Sequence, residues 1–488
     1  MVGMNQKSVA SAHFLSTKAG TDILSLGGNA YDAAIATSAA LTVVQPHLNG
    51  LGGDFFAVLD DNGMTAINGN GYAAELATID FFRSKGYTEL PKRGHLASFS
   101  IPGLVSSWSI LSENATLPMK TLLQPAIKYA REGFNVTPSL AKGADLTSAG
   151  DDDWNRIYKP IAGGGVLFQR ELANTLETVS SDKGHSFYHG EIARAIEKDM
   201  ISKGGLIRFG DLDGFEAKKV NPLRGRYRGF DIYTNPPSSQ GATALMWLNM
   251  LDRKNLSAMP KDEYYSALIS TMRTAYAYRA KYIADPKWLP FDEEMLRPDY
   301  EYAEGGILNE KGVSVSDTTA FSVYDGTVGI SAIQSNYMGF GSGHNIKGTG
   351  INMNNRGVYF TLDASHHNAL APGKKTFHTL MAVVAKGART IYTSTMGGDV
   401  QPQVNVQVLS NVSDKGMGMQ SSVAAPRFGY PASIYADSDI FYEKALKLRV
   451  GREVEDMNSM MGHAQGILVS DVVEAGFDPR GDAMIRYD

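Results

Sequence analysis

The chain has 488 residues, of which 43% are hydrophobic, so it can bury a large core or two joined cores without help from a disulfide or a metal. It contains no cysteine, which excludes a disulfide framework, a thiolate metal site and a cysteine nucleophile. The 46 Lys and Arg residues against 51 Asp and Glu residues give a formal charge of -5, too mild to predict a nucleic-acid partner.

The start of the sequence gives no targeting signal. Residues 1–8 lack the basic flank and the apolar segment of a secretory signal, and no run of about 18 apolar residues follows. We therefore expect a cytoplasmic protein without a membrane partner.

The first clear element is a buried helix. Small and apolar residues are dense from Ala30 to Val44, after Gly27-Gly28-Asn29 and before Pro46. Residues 55–59 and 64–68, separated by Asp61-Asn62-Gly63, then have the pattern of a β-hairpin.

The middle of the chain is predicted to be mostly helical. Apolar positions recur at helical spacing between about residues 105 and 300, and most plainly from Tyr264 to Tyr282. Strands are expected again from Thr318, and a helix from about Glu443 to Asp456. Strands on both sides of a helix-rich middle favour an α+β fold with two sheets.

A threonine doublet opens one of these later strands. Thr318 and Thr319 lie in Ser316-Asp317-Thr318-Thr319-Ala320-Phe321-Ser322-Val323, and residues 324–327 form a turn to a second strand over Gly329–Ser335. Threonine is well suited to strands, so the doublet is either structural or a nucleophile placed at a strand start.

Short segments along the chain carry a family resemblance. They occur in the order Gly27-Gly28-Asn29-Ala30-Tyr31-Asp32-Ala33-Ala34, Thr42-Val43-Val44-Gln45-Pro46-His47, Gly50-Leu51-Gly52-Gly53-Asp54-Phe55-Phe56, Gln124-Pro125-Ala126, Ala130-Arg131-Glu132-Gly133-Phe134, Pro236-Pro237-Ser238-Ser239-Gln240-Gly241, Met396-Gly397-Gly398-Asp399, Ala425-Pro426-Arg427-Phe428 and Gly462-His463-Ala464-Gln465. With the doublet and the glycine-rich segments 339–343 and 348–350, the chain resembles the gamma-glutamyltranspeptidase family of N-terminal-nucleophile hydrolases. Ordered matches are far more specific than one glycine motif.

The resemblance implies a four-layer αββα sandwich and a chain that cuts itself between Asp317 and Thr318. Residues 1–317 and 318–488 would then remain together as a large and a small fragment. The hydroxyl of threonine is a weak nucleophile, but a free α-amine with a pKa of about 7.7 to 8.0 can accept its proton. Thr318 would gain that amine only after the cut, and neither a metal nor an organic cofactor is implied.

Further residues of the catalytic site follow from the same resemblance. Ser335 matches a hydroxyl that supports the nucleophile, provided one residue is deleted in the Asp325-Gly326 turn; otherwise it is a polar residue on an alternating strand. Gly397 and Gly398 match an oxyanion hole, in which backbone N–H groups stabilise the tetrahedral intermediate. The same two glycines would also suit a tight turn.

The predicted acyl pocket departs from the family pattern. Either Asn70 or Tyr72 replaces the arginine that binds the carboxylate of glutamate. Tyr337 stands at an asparagine position, and His378-Thr379 stand in place of a serine pair. After Asn354-Asn355, where acidic residues would meet the ammonium, the chain has Arg356-Gly357. Arg356 would repel an ammonium and attract a carboxylate, unless it is a surface residue or part of a structural ion pair.

The resemblance implies a self-processing amidohydrolase that cleaves a gamma-glutamyl or related acyl amide, a small-molecule substrate, through an ester on Thr318. Hydrolysis is expected to be favoured over transfer, because a short segment between Phe360 and Pro372 leaves the pocket open. Two alternatives stay open: a glutaryl acylase of the cephalosporin type on the same fold, and a relative that is never cut and has no catalytic activity. Whether fragments 1–317 and 318–488 pair into larger oligomers cannot be predicted. The adjacent His366 and His367 lack partners at metal-ligand spacing and are expected in a solvated loop.

Overall fold

The computed structural model of the chain describes residues 6–147, 150–303, 317–430 and 440–484. The helices are α1 Phe14–Ser25, α2 Ala30–Val44, α3 Ile79–Ser84, α4 Leu104–Ser112, α5 Met119–Glu132, α6 Pro138–Leu146, α7 Asp152–Tyr158, α8 Arg170–Asp182, α9 His185–His189, α10 Glu191–Lys203, α11 Phe209–Asp213, α12 Gly241–Asp252, α13 Lys261–Tyr282, α14 Gln401–Ser413 and α15 Met419–Ala424. The strands are β1 Ser8–Ser11, β2 Asp54–Asp60, β3 Met64–Gly69, β4 Phe134–Asn135, β5 Val166–Leu167, β6 Lys218–Val220, β7 Leu223–Tyr227, β8 Phe230–Thr234, β9 Asp317–Tyr324, β10 Gly329–Tyr337, β11 Asn345–Ile346, β12 Ile351–Asn352, β13 Ala382–Lys386, β14 Thr390–Met396, β15 Phe428–Gly429, β16 Phe441–Glu443, β17 Arg452–Val454, β18 His463–Val469 and β19 Val473–Phe477.

Two six-stranded sheets carry most of the strands. The first has the order β1-β9-β10-β2-β3-β6 and the second the order β19-β18-β14-β13-β8-β7. The pairs β9/β10, β10/β2 and β13/β14 are antiparallel. Each sheet therefore combines strands from before and after Thr318.

The alternation of side chains along β2 explains how the first sheet is covered. Phe56 and Val58 belong to an apolar cluster that also contains Ala382 and Val384 of β13, so this cluster lies between the two sheets. The alternate residues Phe55 and Ala57 belong instead to the cluster of α2, α4, α5 and α8. The first sheet thus packs on helices with one face and on the second sheet with the other.

The second sheet is covered in the same way. Val383 and Ala385 point away from the first sheet and pack with residues of α12, α13 and α14. Helices therefore lie on the outer face of each sheet, and the interior between the sheets combines an apolar cluster with buried serines that hydrogen-bond from one sheet to the other.

Several predicted elements are confirmed. The buried helix spans Ala30–Val44, and the side chain of its N-cap Asn29 accepts a hydrogen bond from the backbone N–H of Asp32. The hairpin is formed by β2 and β3, and the strands around Thr318 and Ser335 are β9 and β10.

One prediction is confirmed and one is wrong. The region 105–300 is mostly helical, as predicted, and it also contains the strands β4 to β8; Leu223–Tyr227 alternates buried and exposed residues with the period of a strand. No α-helix runs from Glu443 to Asp456. Left-handed backbone at Lys447 (φ 48°) and Gly451 (φ 96°) interrupts this segment, and Arg452–Val454 forms β17 beside β16.

No helix in the described ranges combines the length and the apolar character needed to cross a bilayer.

Candidate active site

Thr318 and Ser335 meet at the start of β9. The Thr318 hydroxyl donates a hydrogen bond to the Ser335 Oγ over 3.3 Å, and the Ser335 hydroxyl donates to the backbone carbonyl of Asp317 over 2.7 Å. Both side chains are wholly buried. The hydroxyl of Ser335 thus holds the carbonyl of the peptide bond that precedes Thr318.

A β-bulge lies opposite Thr318. The pairing of β9 with β10 shifts by one residue between Gln334↔Thr319 and Tyr337↔Asp317, so one extra residue of β10 lies beside Thr318. The backbone N–H of Tyr337 donates to the Ser335 Oγ over 2.7 Å. Bulges re-aim side chains and are common next to active sites.

Gly53 allows β2 to lie close to this bulge. A Cβ at Gly53 would come within 2.5 Å of the Ser335 carbonyl oxygen, which a side chain cannot do. Asp54 follows directly and is the antiparallel partner of Ser335. Directly opposed residues point to the same face of a sheet with Cβ atoms about 4.5 to 5.5 Å apart, so Asp54 lies beside the Thr318–Ser335 pair.

Asp54 is the centre of a buried ionic cluster. Its Oδ2 accepts hydrogen bonds from Arg356 Nε at 2.9 Å and from His378 Nε2 at 3.0 Å. Arg356 Nη1 donates to the Thr379 hydroxyl at 3.3 Å, and the guanidinium carbon lies 4.7 Å from the centre of the Tyr337 ring. All five side chains are buried, so Arg356 is not a surface residue.

The protonation states in this cluster follow from its contacts. Burial alone would raise the pKa of Asp54, but His378 and Arg356 outweigh it and hold that pKa below its ordinary value. Burial and the charge of Arg356 lower the pKa of His378 to about 4. The His378 Nδ1 accepts from the Leu380 N–H at 3.1 Å, so the proton of the neutral ring is on Nε2 and is donated to Asp54.

Gly397 and Gly398 form a fixed turn after β14. Both have positive φ, 129° and 55°, and a Cβ at Gly397 would lie 2.5 Å from Val400 Cγ2. The Gln240 side-chain amide donates to Gly398 O at 2.9 Å and to Thr379 O at 2.6 Å, so Gly398 lies close to Thr379 and the ionic cluster.

Helix α13 supports the same turn. Arg279 Nη1 donates to Asp399 Oδ1 at 2.7 Å and to Gln240 Oε1 at 2.8 Å. The Tyr276 hydroxyl donates to the Asp399 carbonyl. Asp399, which follows the two glycines, is therefore hydrogen-bonded to α13, and α13 packs on the outer face of the second sheet.

The other predicted pocket residues differ in position. Asn70 is buried and donates to Ser238 Oγ at 2.7 Å. The amide of Asn355 bonds the Met338 N–H and the Lys92 carbonyl, so it supports a loop. Tyr72 is half-buried and donates to Asp211 O at 2.8 Å, which directs its hydroxyl towards α11 and away from Thr318.

The carboxyl group of Asp317 lies next to the peptide bond before Thr318. Burial raises the pKa of Asp317 to about 7, although the Arg93 guanidinium and the Gly339 N–H oppose the shift. Arg93 also donates to Gly339 O at 2.5 Å and Gly341 O at 2.6 Å. The glycine-rich segment after β10 thus holds the residue that precedes Thr318.

Two parts of the site were missed in the sequence. Asp54 is part of a glycine-rich landmark in the sequence, and Arg279 lies within the helix predicted from Tyr264 to Tyr282; neither is predicted to belong to the site. A charged residue inside a buried strand was the available signal for Asp54, because such a residue needs a partner. Within the described ranges, no group of three or more His, Cys, Asp or Glu side chains is arranged to hold a metal ion.

The sequence and the fold of this chain are both similar to those of known proteins. The chain matches the gamma-glutamyltranspeptidase family over residues 16–486. It is 33% identical to the glutathione hydrolase-like YwrD proenzyme of Bacillus subtilis, covering 99% of this chain and 98% of the relative, and 32% identical to the oxamate amidohydrolase proenzyme of Klebsiella pneumoniae, covering 96% of each. The crystal structure of cephalosporin acylase from Bacillus halodurans superposes with a TM-score of 0.87 at 31% identity over 99% of this chain and 97% of that one. The chain therefore belongs to the gamma-glutamyltranspeptidase family.

Proposed function

We propose that this protein is a self-processing amidohydrolase that cleaves a gamma-glutamyl or related acyl amide through an ester on Thr318. The observation that carries the proposal is the buried contact of the Thr318 hydroxyl with Ser335, whose own hydroxyl holds the Asp317 carbonyl. Relatives named as proenzymes support a maturation step. The face-to-face sheets with helices outside them support an αββα sandwich of the N-terminal-nucleophile type.

Maturation would begin with attack of the Thr318 Oγ on the carbonyl carbon of Asp317. The new C–O bond replaces the C–N bond, and the hydroxyl proton passes to the departing amine of Thr318. Water then hydrolyses the ester, which leaves residues 1–317 with a free carboxyl end and restores the hydroxyl of Thr318. The hydrogen bond from Ser335 stabilises the negative charge that develops on the Asp317 oxygen.

Turnover would repeat this chemistry on a substrate amide. The free α-amine of Thr318 takes the proton of the hydroxyl, Oγ attacks the acyl carbon, and the amine product leaves with the proton. We assign the oxyanion hole to the backbone N–H groups of Gly397 and Gly398, because their turn is fixed and lies close to the ionic cluster around Asp54. Water resolves the acyl ester.

Hydrolysis is proposed to dominate over transfer to an amine. The segment after Phe360 packs through Leu362 and Leu370 into one apolar cluster with Phe99. We propose that this short segment leaves the site open to water, which then resolves the acyl ester.

A glutaryl acylase is the second candidate function. Arg356 supports it, because its guanidinium retains a buried Nη2 with no hydrogen-bond partner among the described residues and could take a carboxylate. Relatives named acylase ACY 1 in Pseudomonas and cephalosporin acylase in Bacillus halodurans also support it.

The proposed function is tested by incubating the purified chain and sequencing the N-terminus of any small fragment. We expect a new terminus at Thr318, no cut in a Thr318→Ala variant, and release of p-nitroaniline from gamma-glutamyl-p-nitroanilide by the cut protein. A chain that stays intact and releases no p-nitroaniline would identify a relative without catalytic activity.

A further inference from the structure

The buried ion pair of Asp54 and Arg356 is incomplete. Asp54 Oδ2 accepts two hydrogen bonds, whereas Asp54 Oδ1 and Arg356 Nη2 have no partner among the residues that the structure describes. Both side chains are 0% exposed. Buried polar atoms nearly always have a partner, and the cost of leaving one unpaired is greatest for charged groups.

The two unpaired atoms carry opposite charge. The pKa of Asp54 is held below its ordinary value, so Oδ1 is an anionic acceptor, whereas Arg356 Nη2 is a cationic donor. His378 is neutral and already donates to Oδ2. The ammonium of Lys375 is near enough to interact electrostatically with Asp54, but it makes no hydrogen bond to Oδ1. A ligand that satisfies both atoms must therefore present a donor beside an acceptor.

The pair is held rigidly at a short distance from the nucleophile. Asp54 is the cross-strand partner of Ser335, which accepts the hydrogen bond of Thr318. The Tyr337 ring packs on the guanidinium of Arg356, and Thr379 holds its Nη1. The orientation of Nη2 is thus fixed by contacts that do not involve a ligand.

We propose that Asp54 is a specificity-determining residue which, with Arg356, receives the distal head of the acyl group. This inference rests on the proposed function, since it assumes that an acyl group is bound to Thr318. Arg356 Nη2 would bind a carboxylate, and Asp54 Oδ1 would accept from an ammonium on the same carbon. The ion pair then takes over the role of the family's arginine, which Asn70 or Tyr72 replaces here, and of its acidic residues, which Arg356-Gly357 replace.

This assignment separates the two candidate acyl groups. A glutaryl group has the carboxylate but no donor, so Asp54 Oδ1 would stay unpaired in its complex. A gamma-glutamyl group satisfies both atoms. The repulsion of an ammonium by Arg356, expected from the sequence, is offset by the carboxylate of Asp54.

The test compares gamma-L-glutamyl- and glutaryl-p-nitroanilide on the mature enzyme. We expect kcat/KM to favour the gamma-glutamyl substrate by about 10- to 100-fold, the range for a hydrogen bond between charged groups. In Asp54→Asn this preference should shrink to a few-fold, mainly through KM. Asp60→Asn is the matched control: Asp60 is also buried, lies at the other end of β2 and pairs with Lys386 at 2.7 Å.

A wild-type preference for the glutaryl substrate, or a preference unchanged in Asp54→Asn, would overturn the inference while leaving the proposed function intact. Calorimetric titration of wild-type protein with L-glutamate and with glutarate gives a second measurement if Asp54→Asn does not mature. Tighter binding of L-glutamate supports the role of Asp54, and equal or tighter binding of glutarate contradicts it. Failure of the proposed function is distinguished by the absence of a new terminus at Thr318.

Discussion

Replacement of Ser335 by alanine is the sharpest test of the proposed maturation. The Ser335 hydroxyl makes three contacts: it accepts from Thr318 at 3.3 Å and from the Tyr337 N–H at 2.7 Å, and it donates to the Asp317 carbonyl at 2.7 Å. Only the last contact stabilises the charge that develops during attack. One donor of this kind is worth about 2.7 to 4 kcal/mol, or about 10²- to 10³-fold in rate.

Ser335→Ala should therefore cut itself about 100 to 1000 times more slowly than the wild-type chain. It should also unfold more easily by about 1 to 3 kcal/mol, because the buried N–H of Tyr337 loses its acceptor. The assay follows the intact chain and its two fragments on a denaturing gel over time, with the free energy of unfolding measured by denaturant titration. Ser335→Thr keeps a hydroxyl and should mature within about one order of magnitude of wild type.

Ser331→Ala is the matched control for this experiment. Ser331 lies on the same strand and the same face as Ser335, is also buried, and donates to Thr393 O at 2.8 Å. Its loss should lower stability without slowing the cut. If Ser335→Ala matures at the wild-type rate, or Ser331→Ala is slowed as much, the assignment of Ser335 is refuted.

Three further outcomes are expected. Thr318→Ser should cut itself and hydrolyse an acyl anilide slowly, whereas Thr318→Ala should do neither. Hydrolysis of an acyl anilide by the alanine variant would contradict the assignment of Thr318 as the nucleophile. Gly397→Ala should mature normally but lower kcat by about 10²- to 10³-fold, because a Cβ 2.5 Å from Val400 Cγ2 displaces the proposed oxyanion hole. An unchanged kcat would exclude the assignment of Gly397 to the oxyanion hole. Stability should fall as pH is lowered from about 6.5 to 4. Burial lowers the pKa of His13, His47 and His378 to about 4, so these three side chains bind more protons in the unfolded chain across this interval; His378 alone accounts for up to about 3 kcal/mol. The raised pKa of Asp317 acts in the opposite direction, but it is one group against three. Denaturant titrations at pH 7 and pH 4.5 measure the effect, and equal stability at both values would contradict it.

Local pattern was enough to predict the elements around the nucleophile. The residues of β9 and β10 alternate with the period of a strand, and the turn between them has Asp325 and Gly326 at suitable positions. The helix Ala30–Val44 was predictable because its apolar density and its Asn29 cap are both local signals. The order of the short family motifs along the chain then indicated the family. The pattern of polar and apolar residues alone would not have indicated it.

The composition of the ionic cluster was not predictable, because its contacts join distant parts of the chain. Asp54 and Arg356 are 302 residues apart, and Asp54 and His378 are 324 apart. A single sequence could not decide whether Arg356 was exposed, paired or free for a ligand. The helix predicted over 443–456 is wrong for a related reason. The buried Glu443 forms an ion pair with Arg480, 37 residues later, and this contact overrides the local helical preference.

The position of β9 has a consequence for the lifetime of the mature protein. This strand lies between β1, from the first residues of the chain, and β10, so a cut before Thr318 would divide a sheet whose inner strands come from both pieces. Neither piece would contain all the strands of either six-stranded sheet. Under the proposed maturation, folding would therefore precede the cut, and a mature molecule that opened would have lost the covalent link that brought its strands together. Its durability would be set by the height of the unfolding barrier rather than by an equilibrium with a chain able to refold.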